Sequence, residues 1–359
     1  MPRFDAPVRP GVQAVRALRA ILDDDLDPVM TGFRWWGGYP MTAEARGWVS
    51  HYLYGTTSGI ASNLTDAAAH LANYQDAARR EAIWYSHRVR AARGGIPNLR
   101  DRNELDALRD ATLNTELTGF FRAVGSVFDT MAATVIGIGA LSFNIVKADW
   151  SQLCTNDDSA TYPRTPGPTA TRLRKALAEQ GSHGGLIQDT LLQAVRGAVK
   201  SAGPPHWDQW LHAMRNTQVH RSQWTQILVH ADKRNPDAGA HRLLPRQPHL
   251  VEGHGLQNTT HLAEMMLTED AQITMAGLLG SVAPVVQAVT AACETAWTQR
   301  RASPTILPQP YDDRWLPTAV PTFPGYDPDH AKKAVAEATM IGMHPSQSKR
   351  IAALRLPNS

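Results

Sequence analysis

Along the middle of the chain, apolar residues recur at steps of three and four: Leu113, Leu117, Phe120, Val124, Val127, Met131, Val135, Ile138, Leu141 and Ile145. That is the repeat of one helical face. No proline lies between Pro97 and Pro163, so the pattern predicts one long helix. Gly137 and Gly139 weaken it locally, by about 1 kcal/mol each relative to alanine. Upstream, a proline-containing arm and an aromatic turn, Phe33 to Pro40, lead into a helical pattern from Met41 to about Ala92. Thr42 is the expected N-cap. Asn63 or Thr65 is expected to cap a second helix there, with Leu71, Ala78, Ile83 and Trp84 as apolar positions. Gly94, Gly95 and Pro97 end the segment.

Beyond a polar loop at 155–168, helices are expected from about Thr169 to Glu179 and from Gly185 to Lys200. Gly203-Pro204-Pro205 breaks the chain again. Trp207, Trp210, Leu211 and Met214 then mark a short amphipathic helix, and Val219, Trp224, Ile227 and Leu228 the next. After a long polar stretch, Thr268 is the expected cap of a last core helix through Leu278, Val282, Val286, Val289 and Trp297, with a kink at Pro284. Strand signals are scarce. The pattern therefore predicts an all-α protein in three zones: an N-terminal helical extension (1–97), a helical core (98–302) and a proline-rich arm (303–359). That arm either wraps the core or acts as a linker, and a short helix is expected around His330 to Ile341.

Composition changes this picture little. The 359 residues are 43% hydrophobic, enough for a substantial core, and the formal net charge of +3 is no signature of general nucleic-acid binding. Two cysteines, Cys154 and Cys293, are too few for a disulfide framework. The N-terminus lacks the apolar centre of a signal peptide. The longest apolar run, Thr130 to Val146, is short for a bilayer span and reads as a buried helix. The expected location is the cytoplasm, with no membrane partner.

The chemistry-bearing segment runs from Trp207 to His220 and holds Arg215, Asn216 and His220: an arginine, four residues, a histidine, and an amide directly after the arginine. A guanidinium offers planar, permanently charged donors to the charge that gathers on a phosphate during displacement. Histidine titrates near neutrality and can take or give a proton. Asp208, two helical turns before Arg215, shares its face and is a candidate to orient it; Glu116 on the long helix is another. From 211 to 250 there are six Lys or Arg against two Asp, with five His, a local basic stretch that would attract phosphate. Trp207, Trp210 and Trp224 could stack bases, although their helical spacing makes them core residues first.

This segment resembles the RX4-6H motif of HEPN domains, and the stretch from Leu113 to Asp129 is similar to the long, acid-bearing first helix of that family. The likeness is one of pattern and covers roughly 105–300. It implies a HEPN-like helical bundle that cleaves RNA without a metal or other cofactor. Arg215 and His220 would act at the scissile phosphate, with Asn216, Asp208 and Glu116 in support. The resemblance also implies a toxin or antiphage-defence effector, an antitoxin or regulatory protein as partner, and a homodimer that joins two motifs in one cleft. Gly137 to Leu141 and the helix around Trp210 are candidate surfaces for that dimer. HEPN toxins can carry a tyrosine two residues after the histidine as a modification site; Ser222 stands here instead.

Four other pairs fit the bare spacing: Arg46/His51, Arg80/His87, Arg234/His241 and Arg242/His249. Gly47 and Glu81 follow the first two arginines, and prolines or glycine interrupt the last two, so Arg215/His220 is preferred. Two rival readings stand beside it. One is a metal enzyme using His249, His254 and His261 with Glu252 or Glu264, which lacks any ligand-specific spacing. The other is a non-catalytic helical scaffold that binds a protein or nucleotide.

Overall fold

The computed structural model describes residues 4–27, 32–92, 103–153, 170–220, 227–230, 240–246, 266–315, 327, 329–330, 333 and 336; the side chains of 170, 171, 219, 220, 227, 229, 230, 240 and 313 are excepted. Its framework is a pair of long antiparallel helices, α2 (Ala43–Ala91) after α1 (Arg9–Leu26), and α3 (Glu104–Ile138). Contacts along the pair fix the direction: Thr57 meets Thr134 at 3.4 Å near one end and His70 meets Glu116 at 2.7 Å nearer the other. The remaining helices are α4 (Ala170–Ala176), α5 (His183–Ala202), α6 (Trp207–His220) and α7 (Ala271–Ala302). α7 packs against α1 and α5, whereas α6 lies on α3. The protein is all-α, with one small three-stranded sheet among the described residues.

Local chemistry accounts for most helix starts. Thr42 Oγ1 accepts from the Ala45 N–H, and Asn103 and Asp106 form a reciprocal capping box at α3. Ser182 caps α5. The expected second helix start at Asn63 or Thr65 does not occur: α2 runs unbroken for 49 residues. Thr65 instead turns its hydroxyl back to the Ala61 carbonyl at 2.8 Å. The N-terminal arm is also corrected, because Pro10 sits in the first turn of α1, where proline lacks nothing the helix needs. α7 is capped by Asp270, whose Oδ1 accepts from the Gln272 N–H at 2.9 Å, and Thr268 lies in a strand. α7 continues through Pro284.

The sheet joins β1 (Ile227–His230), β2 (Ala240–Pro245) and β3 (Met266–Asp270) in that order, all antiparallel. Ile227 and Leu228, expected in a helix, therefore pair with Leu243 and Arg242 in a ladder. Arg242 pins β2 to the long helices: its Nε donates to Glu81 Oε2 at 2.7 Å and its Nη2 to Asp110 Oδ1 at 3.1 Å. Its backbone N–H donates to Asp270 at 2.9 Å.

A single core runs from Val8 through α1, α2, α3, α5 and α7 to Leu307. Residues 303–315 lie on it, with Tyr39 Oη donating to the carbonyls of Pro304 and Leu307. Of the expected helix near His330, only isolated positions fall among the described residues. By length and composition α3 and α7 could each cross a membrane, but 78% of the apolar window of α3 is buried inside the protein. Gly137 to Leu141 and Trp210 are buried within the chain too, so they are not available to meet a second copy. Burial pushes the Cys293 thiol up to about 12, which keeps it protonated and unreactive; Cys154 lies outside the described residues.

Candidate functional site

Two stripes divide α6. Trp207, Trp210, Leu211, Met214 and Thr217 are buried against α3 and its surroundings. Trp207 Nε1 donates to the Val199 carbonyl at 2.9 Å and Trp210 Nε1 to the Pro245 carbonyl at 3.2 Å. Both indoles are core anchors, edge-on to Phe128 and Phe121 respectively; Trp224 lies outside the described residues. Asp208, His212, Arg215 and Asn216 form the second stripe. The chain enters α6 through His206 in a left-handed conformation, φ 67°, which costs a non-glycine residue about 1 kcal/mol.

Arg215 lies across α3 at Gly125, where a Cβ would stand 2.7 Å from Arg215 Cγ. Only a residue without a side chain lets the guanidinium stem pass so close to the helix. Beyond it, Arg215 Nη2 donates to Asp129 Oδ2 at 2.9 Å and Nη1 to Asn216 Oδ1 at 3.2 Å. The second Asp129 oxygen accepts from the Trp150 backbone N–H at 3.1 Å. The pair is partly open, with side chains 25% and 23% exposed, so guanidinium donors remain for a ligand. One turn earlier, burial pushes His212 toward its neutral form and the Arg215 charge adds to this, while Asp129, Asp149 and Asp208 pull the other way. Burial also pushes the Asp208 carboxyl up, against the opposing pull of the Gln209 and Asp208 backbone N–H groups, the Trp150 indole and His206.

The structure thus gathers Arg215, Asn216 and Asp208 on one face, but the group that orients Arg215 is neither Asp208 nor Glu116. Asp129 does so, from 86 residues away in sequence. Glu116 accepts instead from His70 at 2.7 Å and from Asn73 at 3.4 Å, between α2 and α3. His220 is the last residue of α6, and its side chain lies outside the described residues. His212 and Asp129 are the additions. His212 had a local signal, being one turn before Arg215 on the same stripe; Asp129 had only its place on the acid-bearing helix.

The other arginines of matching spacing are otherwise engaged. Arg46 donates to the carbonyls of Tyr39 and Met41, Arg80 pairs with Asp76 on its own helix, and Arg242 is the sheet anchor. Arg234 lies outside the described residues, as do His249, Glu252, His254, His261 and Glu264. No group of three or more potential metal ligands occurs among the described residues.

No protein-family model matches the chain, and no curated protein or solved structure is significantly similar to it. The functional reading therefore rests on the chemistry of this site.

Proposed function

We propose that the protein is a metal-independent, HEPN-type endoribonuclease acting in the cytoplasm. The observation that carries this reading is a partly exposed arginine, fixed by Asp129 and Asn216, one helical turn from a histidine held toward neutrality. In the reaction, a substrate 2′-OH loses its proton to a histidine, His212 or His220, and its oxygen attacks the neighbouring phosphorus. The P–O5′ bond breaks, and the departing 5′ oxygen receives a proton from a protonated group such as the second histidine. The products are a 2′,3′-cyclic phosphate and a 5′-hydroxyl. Arg215 offers donors to the non-bridging oxygens as negative charge gathers there, while Asp129 is a positioning residue. Asp208, placed beside His212, tunes the field in which that histidine titrates.

Toxin or antiphage-defence activity, restraint by an antitoxin-like protein, and a homodimer with the two His220 residues near the dyad complete the proposal. The dimer rests on the resemblance to HEPN domains, which implies two motifs joined in one cleft. Light scattering tests it: a monomeric mass at micromolar concentration removes it.

Cleavage of RNA in excess EDTA is the deciding experiment. The expected result is cleavage by the parent that leaves cyclic phosphate or its opened product, lost in Arg215→Ala and His220→Ala variants that keep their helical circular dichroism. A strict divalent-metal requirement, or a 5′-phosphate product, would overturn the mechanism. One observation favours a non-catalytic scaffold as second reading: both Asp129 oxygens are engaged, one by Arg215 and one by the Trp150 backbone, as in a structural tie. An absence of cleavage by the parent, together with unfolding of Arg215→Ala, selects that reading.

A further inference from the structure

A polar cleft of about 810 Å³ opens between α2 and α3 and is closed at one end by Gln218 of α6. Its walls are unusual for two helices packed so extensively. Asn63, Asp66 and His70 form one stripe of α2, and Thr115, Thr118 and Arg122 face them from α3. Small residues along α3, Ala111 and Ala123, leave the space unfilled.

Several of the polar groups are fixed in advance. The His70 ring packs against α3 where position 119 has no side chain; a Cβ there would collide with His70 Cε1. Glu116 holds the Nδ1 side of that ring at 2.7 Å. Thr118 Oγ1 donates to Gln218 Oε1 at 3.2 Å, so the Gln218 amide nitrogen keeps its donors for another group. Asp66 and Arg122 stand exposed at the rim. Together the cleft offers a carboxylate, amides that both donate and accept, and a cation. That set complements the mixed donor and acceptor edge of a nucleobase together with a phosphate, and the volume lies within the range of small-molecule sites.

The cleft also ends where the Arg215 site begins. Ser126 lines it, and the adjacent Gly125 carries Arg215. Gln218 is three residues after Arg215 on α6, and Arg122 is one turn before Ser126 on α3. One helical turn advances about 5.4 Å, similar to the step between neighbouring phosphates of an extended strand.

We infer that the α2–α3 cleft binds one nucleotide of a single-stranded RNA next to the phosphate held by Arg215. Asn63, Asp66 and Gln218 read its base, and Arg122 holds its phosphate. The inference rests on the ribonuclease reading for the source of the ligand, and its test is chosen to be independent of cleavage. AMP, GMP, CMP, UMP and ribose 5-phosphate are titrated against the full chain, with binding read by calorimetry. A 2′-O-methyl tetranucleotide, which lacks the attacking hydroxyl, is titrated beside them.

The expected result is saturable binding of at least one nucleoside monophosphate, at least about tenfold tighter than ribose 5-phosphate, and tighter binding again of the tetranucleotide. Asp66→Ala and Gln218→Ala each weaken nucleotide binding about tenfold or more, the loss from one polar contact. Asp66 and Arg122 are exposed, so the Asp66→Ala and Arg122→Ala variants report on binding without a change in melting temperature. Equal binding of ribose 5-phosphate, or no binding at all, overturns base recognition. A tetranucleotide no tighter than the monophosphate overturns the strand and makes the ligand a free nucleotide. Should the parent fail to cleave RNA yet bind as expected here, the ribonuclease reading falls and the cleft assignment stands.

Discussion

Two arginines lie against α3, at glycines twelve residues apart along it, and they are treated in opposite ways. Arg300 is completely buried near Gly137. It donates to the Gly137 and Ile138 carbonyls at 3.1 and 2.6 Å, to Tyr39 Oη at 3.1 Å and to Gln309 Oε1 at 3.3 Å. The rings of Trp35, Tyr39 and Trp297 surround it, with centroids 5.6–5.8 Å from the guanidinium carbon. Burial lowers its affinity for the proton, and Tyr39 opposes this. The carbonyls at the C-terminal end of α3 supply the negative dipole end that favours a cation. Arg215, near Gly125, has one carboxylate and one amide, and its side chain is a quarter exposed to solvent. The first arginine closes a helix end; the second keeps donors in reserve. Both Nη groups of Arg300 are engaged inside the core and only its Nε lacks a partner, so enclosure, more than the presence of charge, separates a cation that holds the fold from one that can meet a ligand.

Removing Arg300 should therefore have the largest effect. Arg300→Met removes the donor to the Ile138 carbonyl in a closed core, while the Gly137 carbonyl keeps the Ala140 N–H. The expected loss of stability is about 3 kcal/mol or more, read from urea denaturation midpoints. A loss below about 1 kcal/mol would mean that water replaces the guanidinium freely, and the comparison would collapse from that side.

Arg215→Ala tests the other side. Its ion pair is partly exposed, so the expected stability change is under about 1 kcal/mol. RNA cleavage should fall by about 10²–10³-fold, the usual consequence of removing one charge-stabilising donor from a displacement. A variant that unfolds but, where folded, still cleaves would put Arg215 in the same class as Arg300.

These two arginines also mark what the sequence could and could not convey. Arg215 stood out because local features single it out: the amide behind it, the histidine after it, and a helical stripe around it. The long helix α3 was legible for the same reason, its apolar step being repeated over many turns, and Thr42 as a cap was legible from its neighbours alone. Arg300 carried no signal, because its partners at Gly137, Ile138 and Tyr39 are more than 160 residues away. Asp129 was hidden in the same way. α1 was read as a proline-containing arm, although the first turn of a helix tolerates proline. The strands were missed because each is only four to six residues long, and the tie of β2 to α2, the buried Arg242–Glu81 contact, lies in no window of sequence. Glu116 was assigned to the wrong partner since one helical face of α3 says nothing of which neighbouring helix meets it.

His212 sharpens the contrast through pH. A base must be unprotonated, and burial, the largest influence, holds His212 below the usual histidine value of 6.5. If it takes the 2′-OH proton, cleavage persists into more acidic solution than an ordinary histidine allows, and the acid limb of the rate profile lies below pH 6.5. His212→Gln should abolish that limb together with most of the rate. An acid limb centred at or above the ordinary histidine value in the parent would assign the base to another group.

The smallest expected effect is at Asp208, where the site is less stable than it could be. Burial raises its carboxyl above the ordinary 3.8, so the folded chain holds that proton more tightly than the unfolded chain does. The associated stability is fully present below about pH 3.8 and is lost as pH rises through the raised folded value. Above that window Asp208 therefore burdens the fold, in the opposite sense to a carboxylate held in a strong ion pair. An asparagine at this position would keep an oxygen for the backbone N–H groups at the start of α6 and carry no charge to desolvate. Asp208→Asn should raise the melting temperature at pH 7 by about 1–2 °C, the scale expected for less than about 1 kcal/mol in a chain of this size. The gain should vanish near pH 3, where Asp208 is protonated in both states. Cleavage should not fall in the same variant, because without the Asp208 charge His212 is held more firmly in the neutral form a base needs. A melting temperature that is lower at pH 7, or a gain that persists at pH 3, would show that Asp208 holds α6 in place and is not retained at a cost to stability.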